Sequence, residues 1–190
     1  MPYAMRNPLY HWSHLELKRV FGVDKVLNPA TAREIYDECT AKLQTEEYRG
    51  QNLMKRFNVK VVCTTDDPAD SLEYHKYIVD HPFGVKVLPT WRPDKAMAIE
   101  NPKAYKEYLA KLGAAAGMEI KSYKDLQEAL AKRRAYFALM GCRLSDHGLE
   151  TFYAADYNQL EIELIFKEVM LGKAPGATAL EKFRSAFLHD

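Results

Sequence analysis

The chain has 190 residues, of which 47% are hydrophobic and 28% are charged, and its formal net charge is +1. This composition is typical of a globular domain with a sizeable core. A charge near zero argues against nucleic-acid binding, which normally needs an excess of positive charge on one face, and no apolar run reaches the roughly 20 residues that cross a bilayer. The three cysteines are far apart and odd in number, so we expect reduced thiols in a cytoplasmic protein.

The first sixty residues are predicted to be helical. A helix should begin after Asn7-Pro8 and end at Gly22, because the apolar residues between them recur with a period near 3.6. A second helix is expected from Asn28 onward with Pro29 in its first turn. A third is expected from about Gln51 to Phe57.

Strands and helices are predicted to alternate in the rest of the chain. The first strand, Val59–Thr65, is β-branched and nearly continuously apolar, so we expect it to be buried on both faces. A second strand is predicted at Val85–Trp91, and Gly141–Gly148 is predicted to be a third strand that emerges into a loop. Helices are predicted over residues 71–79, 102–112, 123–140, 158–172 and 178–188. This alternation indicates parallel strands with helical crossovers, and three such strands form an open sheet or a sector of a larger barrel.

Polar residues follow each of the three predicted strands. They are Asp66 and Asp67, then Arg92 and Asp94, then Asp146 and His147. In parallel α/β folds the C-terminal ends of the strands form the ligand-binding rim, so three polar ends in succession indicate a functional edge. Structural alternatives remain open: Asp67 as a helix N-cap, Arg92-Pro93-Asp94 as a turn closed by an ion pair, and His147 as part of a hydrogen-bonded loop.

The remaining histidines give weaker signals. His11 and His14 have the spacing of a metal-binding pair on one helix face, but zinc needs at least a third protein ligand and the neighbouring sequence supplies no evident one. A structural role is therefore favoured for both. His75 and His81 lie in and just after the helix predicted over residues 71–79, and we expect them to be solvated or capping groups.

Four strings are more specific than these patterns: RNPLYHWSHLEL (6–17), TTDDP with SLEYH (64–68 and 71–75), PTWRPDK (89–95) and SDHGLE (145–150). In content, order and spacing they resemble segments of the uronate isomerases, a family of the amidohydrolase superfamily, and the resemblance covers essentially the whole chain. It implies a distorted (β/α)8 TIM barrel with a helical insertion after the first strand. Residues 1–58 would be the helical insertion region, and residues 59–190 a partial barrel containing strands two to four with their helices.

The resemblance also implies that this chain is an internal fragment, roughly the second two-fifths of the enzyme. A His-x-His metal pair and a His-Tyr pair would lie upstream, and a further histidine, arginines and a metal-binding aspartate downstream. The full-length family would hold a divalent metal, with zinc the expected ion, and no residue of this chain would bind it.

The implied reaction is an aldose–ketose isomerisation in bacterial uronic acid catabolism, interconverting D-glucuronate with D-fructuronate and D-galacturonate with D-tagaturonate. Arg92 is expected to contact the hexuronate, since a guanidinium offers a planar fork of donors to a carboxylate. Asp66 and His147 are expected to support it, the general base is expected outside this chain, and the isolated chain is expected to be inactive.

Two other interpretations remain open. The chain could be a non-catalytic α/β binding or assembly module that forms a homo-oligomer through exposed sheet edges, since unpaired edges and uncovered apolar faces promote association. It could also be a metallohydrolase that uses His11, His14 and one more ligand, which is the least favoured interpretation.

Overall fold

The computed structural model describes residues 2–190, and the side chains from Tyr3 onward. The chain divides into two compact units, a first unit up to Val59 and a second unit from Lys60 to Asp190. No helix within residues 2–190 combines the length and apolar character needed to cross a bilayer.

The first unit contains three α-helices: α1 (Pro8–Phe21), α2 (Ala32–Leu43) and α3 (Gly50–Arg56). Short 3-10 turns occur at Pro2–Ala4 and Glu46–Tyr48. The predicted limits of α1 are confirmed: the Asn7 side chain accepts a hydrogen bond from the Leu9 amide, and Gly22 ends the helix with φ of 68°.

Helix α2 begins at Ala32, so the predicted start at Asn28 is wrong. The side-chain oxygen of Asn28 accepts hydrogen bonds from the Ala30 and Thr31 amides at 2.9 and 3.2 Å. Asparagine commonly closes a turn in this way. Pro29 therefore lies in a turn before the helix and not in the first turn of the helix.

The second unit contains a two-stranded parallel sheet of β1 (Val61–Cys63) and β2 (Lys86–Leu88), joined through α4 (Glu73–Asp80). Val61 pairs with Lys86 and Cys63 with Leu88. Val61 and Cys63 are exposed and Val62 is half-buried. The expectation that β1 is buried on both faces is therefore wrong, because only one face of this strand is covered.

The third predicted strand, Gly141–Gly148, is also wrong, because this segment forms one isolated parallel bridge, between Trp91 and Ser145. Gly141 has φ of 92°. The Cys142 amide donates to the Phe137 carbonyl at 2.9 Å and so continues the end of the preceding helix. Backbone groups used at a helix end are not free to pair in a sheet, which limits pairing to the last residues of the segment.

Four long helices form the core of the second unit: α5 (Pro102–Ala116), α6 (Tyr123–Leu139), α7 (Gln159–Met170) and α8 (Ala177–His189). A 3-10 turn at Asp94–Met97 leads from the sheet toward α5. The fully buried members of the core include Leu112, Leu126, Ile162 and Phe183. Burying a side chain of this size contributes about 1.5–3 kcal/mol relative to leaving it exposed.

One buried cation ties the loop after β1 to the helical core. Arg133 of α6 donates to the carbonyl oxygens of Pro68 and Asp70 at 2.7 Å each, and to that of Ala115 at 3.1 Å. Its guanidinium carbon also lies 4.3 Å from the centre of the Tyr136 ring. Burial lowers the pKa of the Arg133 guanidinium. The carbonyl oxygens satisfy its donors and so offset the cost of burying a charge.

Candidate functional site at the strand ends

The three predicted polar strand ends come together in the second unit. Trp91 is the centre of this arrangement, since it forms parallel bridges with Asp66 on one side and Ser145 on the other. The Trp91 amide donates to the Leu144 carbonyl and the Arg92 amide to the Asp66 carbonyl, both at 3.0 Å. The term strand-end rim is used below for the following set of residues: Asp66, Asp67, Arg92, Asp94, Asp146 and His147.

Arg92 and Asp146 form a two-point ion pair in the strand-end rim. Arg92 Nε donates to Asp146 Oδ1 at 3.0 Å and Nη2 donates to Oδ2 at 2.7 Å. Both side chains are 40% exposed. Asp94 Oδ2 is 3.9 Å from Arg92 Nε. The local ion pair of the turn alternative is therefore present but long, and the closer pair joins Arg92 to Asp146, 54 positions away.

Asp94 instead organises the loop that carries Asp146. Its Oδ1 accepts a hydrogen bond from His147 Nδ1 at 2.8 Å, and its Oδ2 accepts one from the Gly148 amide at 2.7 Å. The proton of His147 is thereby assigned to Nδ1, since an ionised carboxylate only accepts. Nε2 of His147 takes part in no hydrogen bond within residues 2–190. His147 thus has the contacts of a hydrogen-bonded loop residue and one free ring nitrogen.

Asp66 is turned inward and is 14% exposed. Its Oδ2 accepts hydrogen bonds from the Thr64 hydroxyl at 2.6 Å and the Thr90 amide at 3.2 Å. Its own amide donates to the Thr90 carbonyl at 3.0 Å. Asp66 therefore fixes the segment that follows β2 through both its side chain and its backbone.

Asp67 caps a turn and not a helix, so the N-cap alternative is wrong. Its Oδ1 accepts from the Ala69 amide at 2.9 Å, whereas α4 starts only at Glu73. Burial raises the pKa of Tyr108 far above its usual range, and the negative charge of Asp67 acts in the same direction. The phenol of Tyr108 consequently stays neutral, and Lys95 Nζ lies 3.4 Å from Asp67 Oδ2.

His75 is the residue at this site that sequence reasoning missed. It was expected to be a solvated or capping group, but its side chain is 9% exposed and its Nε2 lies 2.8 Å from Thr64 Oγ1. Leu72, three residues earlier, is buried as well. No local helix pattern marks this burial, because Leu72 precedes α4 with φ of 55° and the hydrogen-bond partner Thr64 lies eleven residues earlier.

Comparison with known proteins decides the family. The whole chain, residues 1–190, matches the profile of the family described as glucuronate isomerase. The chain belongs to the glucuronate isomerase family. It is 55% identical over 188 residues to the uronate isomerase of Bacteroides thetaiotaomicron and 48% identical over 190 residues to that of Cellvibrio japonicus. Each alignment covers 99% of this chain and 40% of the relative.

Solved structures agree with this assignment. The uronate isomerase of Thermotoga maritima superposes with a TM-score of 0.84 and 32% identity, covering 98% of this chain and 41% of that chain. The glucuronate isomerase of Caulobacter crescentus gives a TM-score of 0.84 and 30% identity, covering 98% and 39%. The resemblance of the four sequence strings to uronate isomerases is confirmed. This chain spans about 40% of the length of the curated relatives.

In this member of the glucuronate isomerase family, His14 has a structural role, as favoured from the sequence. Its Nδ1 lies 2.6 Å from the Tyr10 carbonyl, and its Nε2 accepts from the Leu27 amide at 2.9 Å. A histidine with both ring nitrogens in hydrogen bonds has no lone pair for a metal. The metallohydrolase interpretation is wrong on this ground.

The metal expected for the full-length family finds no complete set of ligands in the described part of this glucuronate isomerase segment. Within residues 2–190, no group of three or more histidine, cysteine, aspartate or glutamate side chains is arranged to hold one. The carboxylates of Asp66, Asp94 and Asp146 accept hydrogen bonds from donors of the protein.

An open groove of about 570 Å³ lies beside the rim, between α6, α8 and the segment that follows α6. Trp91, Leu126, Leu144 and Phe187 contribute apolar surface to it, and His147 lies at its wall. Arg92 is not among its lining residues. The groove and the charged face of Arg92 are therefore separate features of this glucuronate isomerase segment.

Proposed function

We propose that the full-length protein containing this segment is a uronate isomerase that interconverts D-glucuronate with D-fructuronate and D-galacturonate with D-tagaturonate. Membership of the glucuronate isomerase family and 55% identity to a uronate isomerase support this function. The structural observation that carries it is the Arg92 guanidinium, oriented at the strand ends by its two-point pair with Asp146.

Arg92 binds the carboxylate of the hexuronate through the edge that Asp146 leaves free. Asp146 occupies the Nε–Nη2 edge, and Nη1 forms no hydrogen bond within residues 2–190. A guanidinium has a second pair of parallel donors along its Nη1–Nη2 edge, and that pair matches a carboxylate. Because Asp146 already holds the guanidinium in place, less side-chain entropy is lost when the substrate binds.

Holding the carboxylate serves the chemistry at the other end of the sugar. The isomerisation moves a proton between C2 and C1, and the intermediate enediolate carries negative charge. A fixed carboxylate places these carbons against the general base, which is supplied from outside this chain. A divalent metal, expected to be zinc, belongs to the full-length enzyme, and no role assigned to Arg92 depends on it.

Asp66 and His147 support Arg92 without contacting the substrate. The Asp66 carbonyl accepts the hydrogen bond from the Arg92 amide at 3.0 Å. His147 bonds to Asp94 and so steadies the loop from which Asp146 reaches Arg92. Each of the two residues therefore fixes one end of the Arg92–Asp146 pair.

For the whole enzyme we propose a cytoplasmic (β/α)8 barrel of the amidohydrolase superfamily. Residues 1–58 form its helical insertion region, and residues 59–190 a sector in which β1, β2 and the segment around Ser145 are strands two, three and four. The parallel order of the bridges from Asp66 through Trp91 to Ser145 supports this arrangement. In the isolated segment, the free sheet edges allow association into a homo-oligomer.

The test replaces Arg92 with lysine in the full-length protein and follows formation of the ketose from glucuronate by NMR. Arg92→Lys keeps the charge but loses the fork of donors, so we expect kcat/KM to fall about 100-fold. The matched control is Arg33→Lys, since Arg33 also pairs with an aspartate, Asp37, at 2.9 Å, but on the exposed surface of the first unit. If Arg92→Lys had the same kinetics as the control, Arg92 would not be part of the substrate-binding site.

The isolated 190-residue chain provides a second test under the same assay with added divalent metal. We expect no turnover, because the chain lacks the general base and a fitting set of metal ligands. Turnover by this chain would contradict the assignment of the base to the rest of the enzyme. A full-length protein that folds and self-associates but converts no uronate would support the non-catalytic assembly module instead.

A further inference from the structure

A chain of hydrogen bonds connects helix α4 to the backbone of Arg92. It begins at His75 Nε2, which lies 2.8 Å from Thr64 Oγ1, and passes from that hydroxyl to Asp66 Oδ2 at 2.6 Å. Asp66 Oδ2 then accepts the Thr90 amide at 3.2 Å. All of these side chains are buried or half-buried.

The donors in this chain can be assigned by counting protons. A threonine hydroxyl has one proton, and an ionised carboxylate can only accept. Thr64 Oγ1 also lies 3.3 Å from the Leu88 carbonyl oxygen, and the much shorter contact of 2.6 Å to Asp66 takes the Thr64 proton. His75 must then donate from Nε2 to Thr64 Oγ1, so the imidazole carries its proton on Nε2. The 3.8 Å separation between His75 Nε2 and Asp66 Oδ2 leaves the hydroxyl as the link between them.

The end of the chain is the backbone from which the Arg92 side chain projects. Asp66 holds this backbone at three points: its carboxylate accepts the Thr90 amide, its amide donates to the Thr90 carbonyl, and its carbonyl accepts the Arg92 amide. The side chain of Asp66 can take only certain directions while it is bonded to Thr64. The orientation of Asp66 is thus set from α4 through the Thr64 hydroxyl.

We propose that Thr64 and His75 are positioning residues for Arg92 that act through Asp66. They set the backbone at residues 90–92 so that the free edge of the Arg92 guanidinium meets the substrate carboxylate. This inference rests on the proposed role of Arg92 in binding the uronate. Neither Thr64 nor His75 touches the substrate in this arrangement.

The first experiment compares Thr64→Val with Thr64→Ser in the full-length protein. Valine keeps the shape but removes the hydroxyl, and a displacement near 1 Å in a substrate-holding group can cost up to about 100-fold. We expect kcat/KM for glucuronate to fall about tenfold, mostly through a higher KM because Arg92 holds the substrate before and during reaction. Serine restores the hydroxyl and should return kcat/KM to within about twofold of the wild type.

The matched control is Thr65→Val, the same change at the next residue. Thr65 is exposed, and its hydroxyl takes part in no hydrogen bond within residues 2–190. We expect wild-type kinetics for this variant. Equal losses in Thr64→Val and Thr65→Val, or no rescue by serine, would overturn the proposal.

A double-mutant cycle with Arg92→Lys separates positioning from general damage. If Thr64 acts through Arg92, adding Thr64→Val to Arg92→Lys should lower kcat/KM by less than about twofold, whereas independent effects would multiply. If the two losses in kcat/KM multiply, Thr64 does not act by positioning Arg92, while the proposed role of Arg92 itself is unaffected. An Arg92→Lys variant with wild-type kinetics would instead overturn the proposed function itself.

A second pair of variants covers the case in which Thr64→Val does not fold. His75→Gln keeps an N–H donor that can reach Thr64, and His75→Leu removes it. We expect the leucine variant to show the KM increase and the glutamine variant to recover most of it, with near-ultraviolet circular dichroism checking that both are folded. Equal kinetics in the two folded variants would overturn the proposal.

Discussion

The two units of the chain are stabilised in different ways. In the first unit Val23 and Ile35 are the buried residues among 3–59, and six ion pairs link side chains that are largely exposed. In the second unit, fifteen buried residues form one continuous cluster across the helices. Exposed ion pairs contribute little, typically below about 1 kcal/mol each. The second unit should therefore hold most of the stability.

The difference shows how a uniform sequence pattern can lead to unequal burial. Helix α1 has the expected apolar spacing, yet Leu9, Trp12 and Leu15 remain exposed to 54%, 59% and 46%. In α6, similarly spaced residues such as Leu126 and Phe137 are fully buried. An apolar face stabilises a helix only when another surface covers it.

The largest expected effect comes from truncating the core of the second unit. Phe183 is fully buried and its ring lies 5.4 Å from that of Tyr123, so Phe183→Ala should lower the free energy of unfolding by about 3–5 kcal/mol. The matched control is Phe152→Ala, because Phe152 is 89% exposed and its loss should cost no more than about 0.5 kcal/mol. Urea denaturation measures both. Similar values for the two variants would mean that the helical cluster is not the source of stability.

An intermediate effect is expected from the same kind of change in the first unit. Ile35→Ala removes one of its two buried side chains and should cost about 2 kcal/mol, the lower end for such truncations, because a thin core can collapse around the cavity. Hydrogen exchange resolved by segment should show faster exchange in α2 and unchanged exchange in α6. Equal acceleration in both helices would show that the two units unfold as one.

The smallest expected effect is a loss of stability at the start of α6 when the pH is lowered. Backbone hydrogen bonds from Lys121, and then the side chain of Ser122, lower the pKa of Asp125 below its usual 3.8. A lowered folded-state pKa gives stability that is present above the unfolded pKa and lost as pH falls through the folded value. Acidification below about pH 4 should therefore loosen the start of α6.

Helix α1 is the internal control for this acid sensitivity, because its N-cap residue, Asn7, has no acidic side chain. Asp125→Asn should remove the acid sensitivity of α6 while leaving α1 unchanged. Exchange rates of the first-turn amides, measured between pH 5 and pH 3 and corrected for intrinsic exchange, test the difference. Equal acid sensitivity in wild type and variant would exclude Asp125 as its source.

Local signals in the sequence were sufficient to predict most helices. Asn7, Pro8 and Gly22 mark α1 because each acts on its immediate neighbours. The same logic misplaced α2, where the Asn28 side chain closes a turn instead of starting a helix. It also predicted a third strand at Gly141–Gly148, where only Ser145 forms a bridge.

The contacts of the rim depended on residues far apart in the chain. The sequence indicated that Asp66, Arg92, Asp146 and His147 meet at one edge, since parallel strands end on one side. It did not indicate that Arg92 pairs with Asp146 instead of Asp94, because that choice depends on the path of a loop 54 residues later. The hydrogen bond of the buried His75 depends in the same way on Thr64, the residue that follows β1.

The hydrogen bonds of Arg133 have a consequence for the order in which the protein is made. Pro68 and Asp70 precede Arg133 by 65 and 63 residues, yet their carbonyl oxygens are held by its guanidinium. At translation rates of about 5–20 residues per second, the loop leaves the ribosome roughly 3–13 s before its anchor does. The loop next to Asp66 and Asp67 therefore acquires its final conformation only after α6 has emerged.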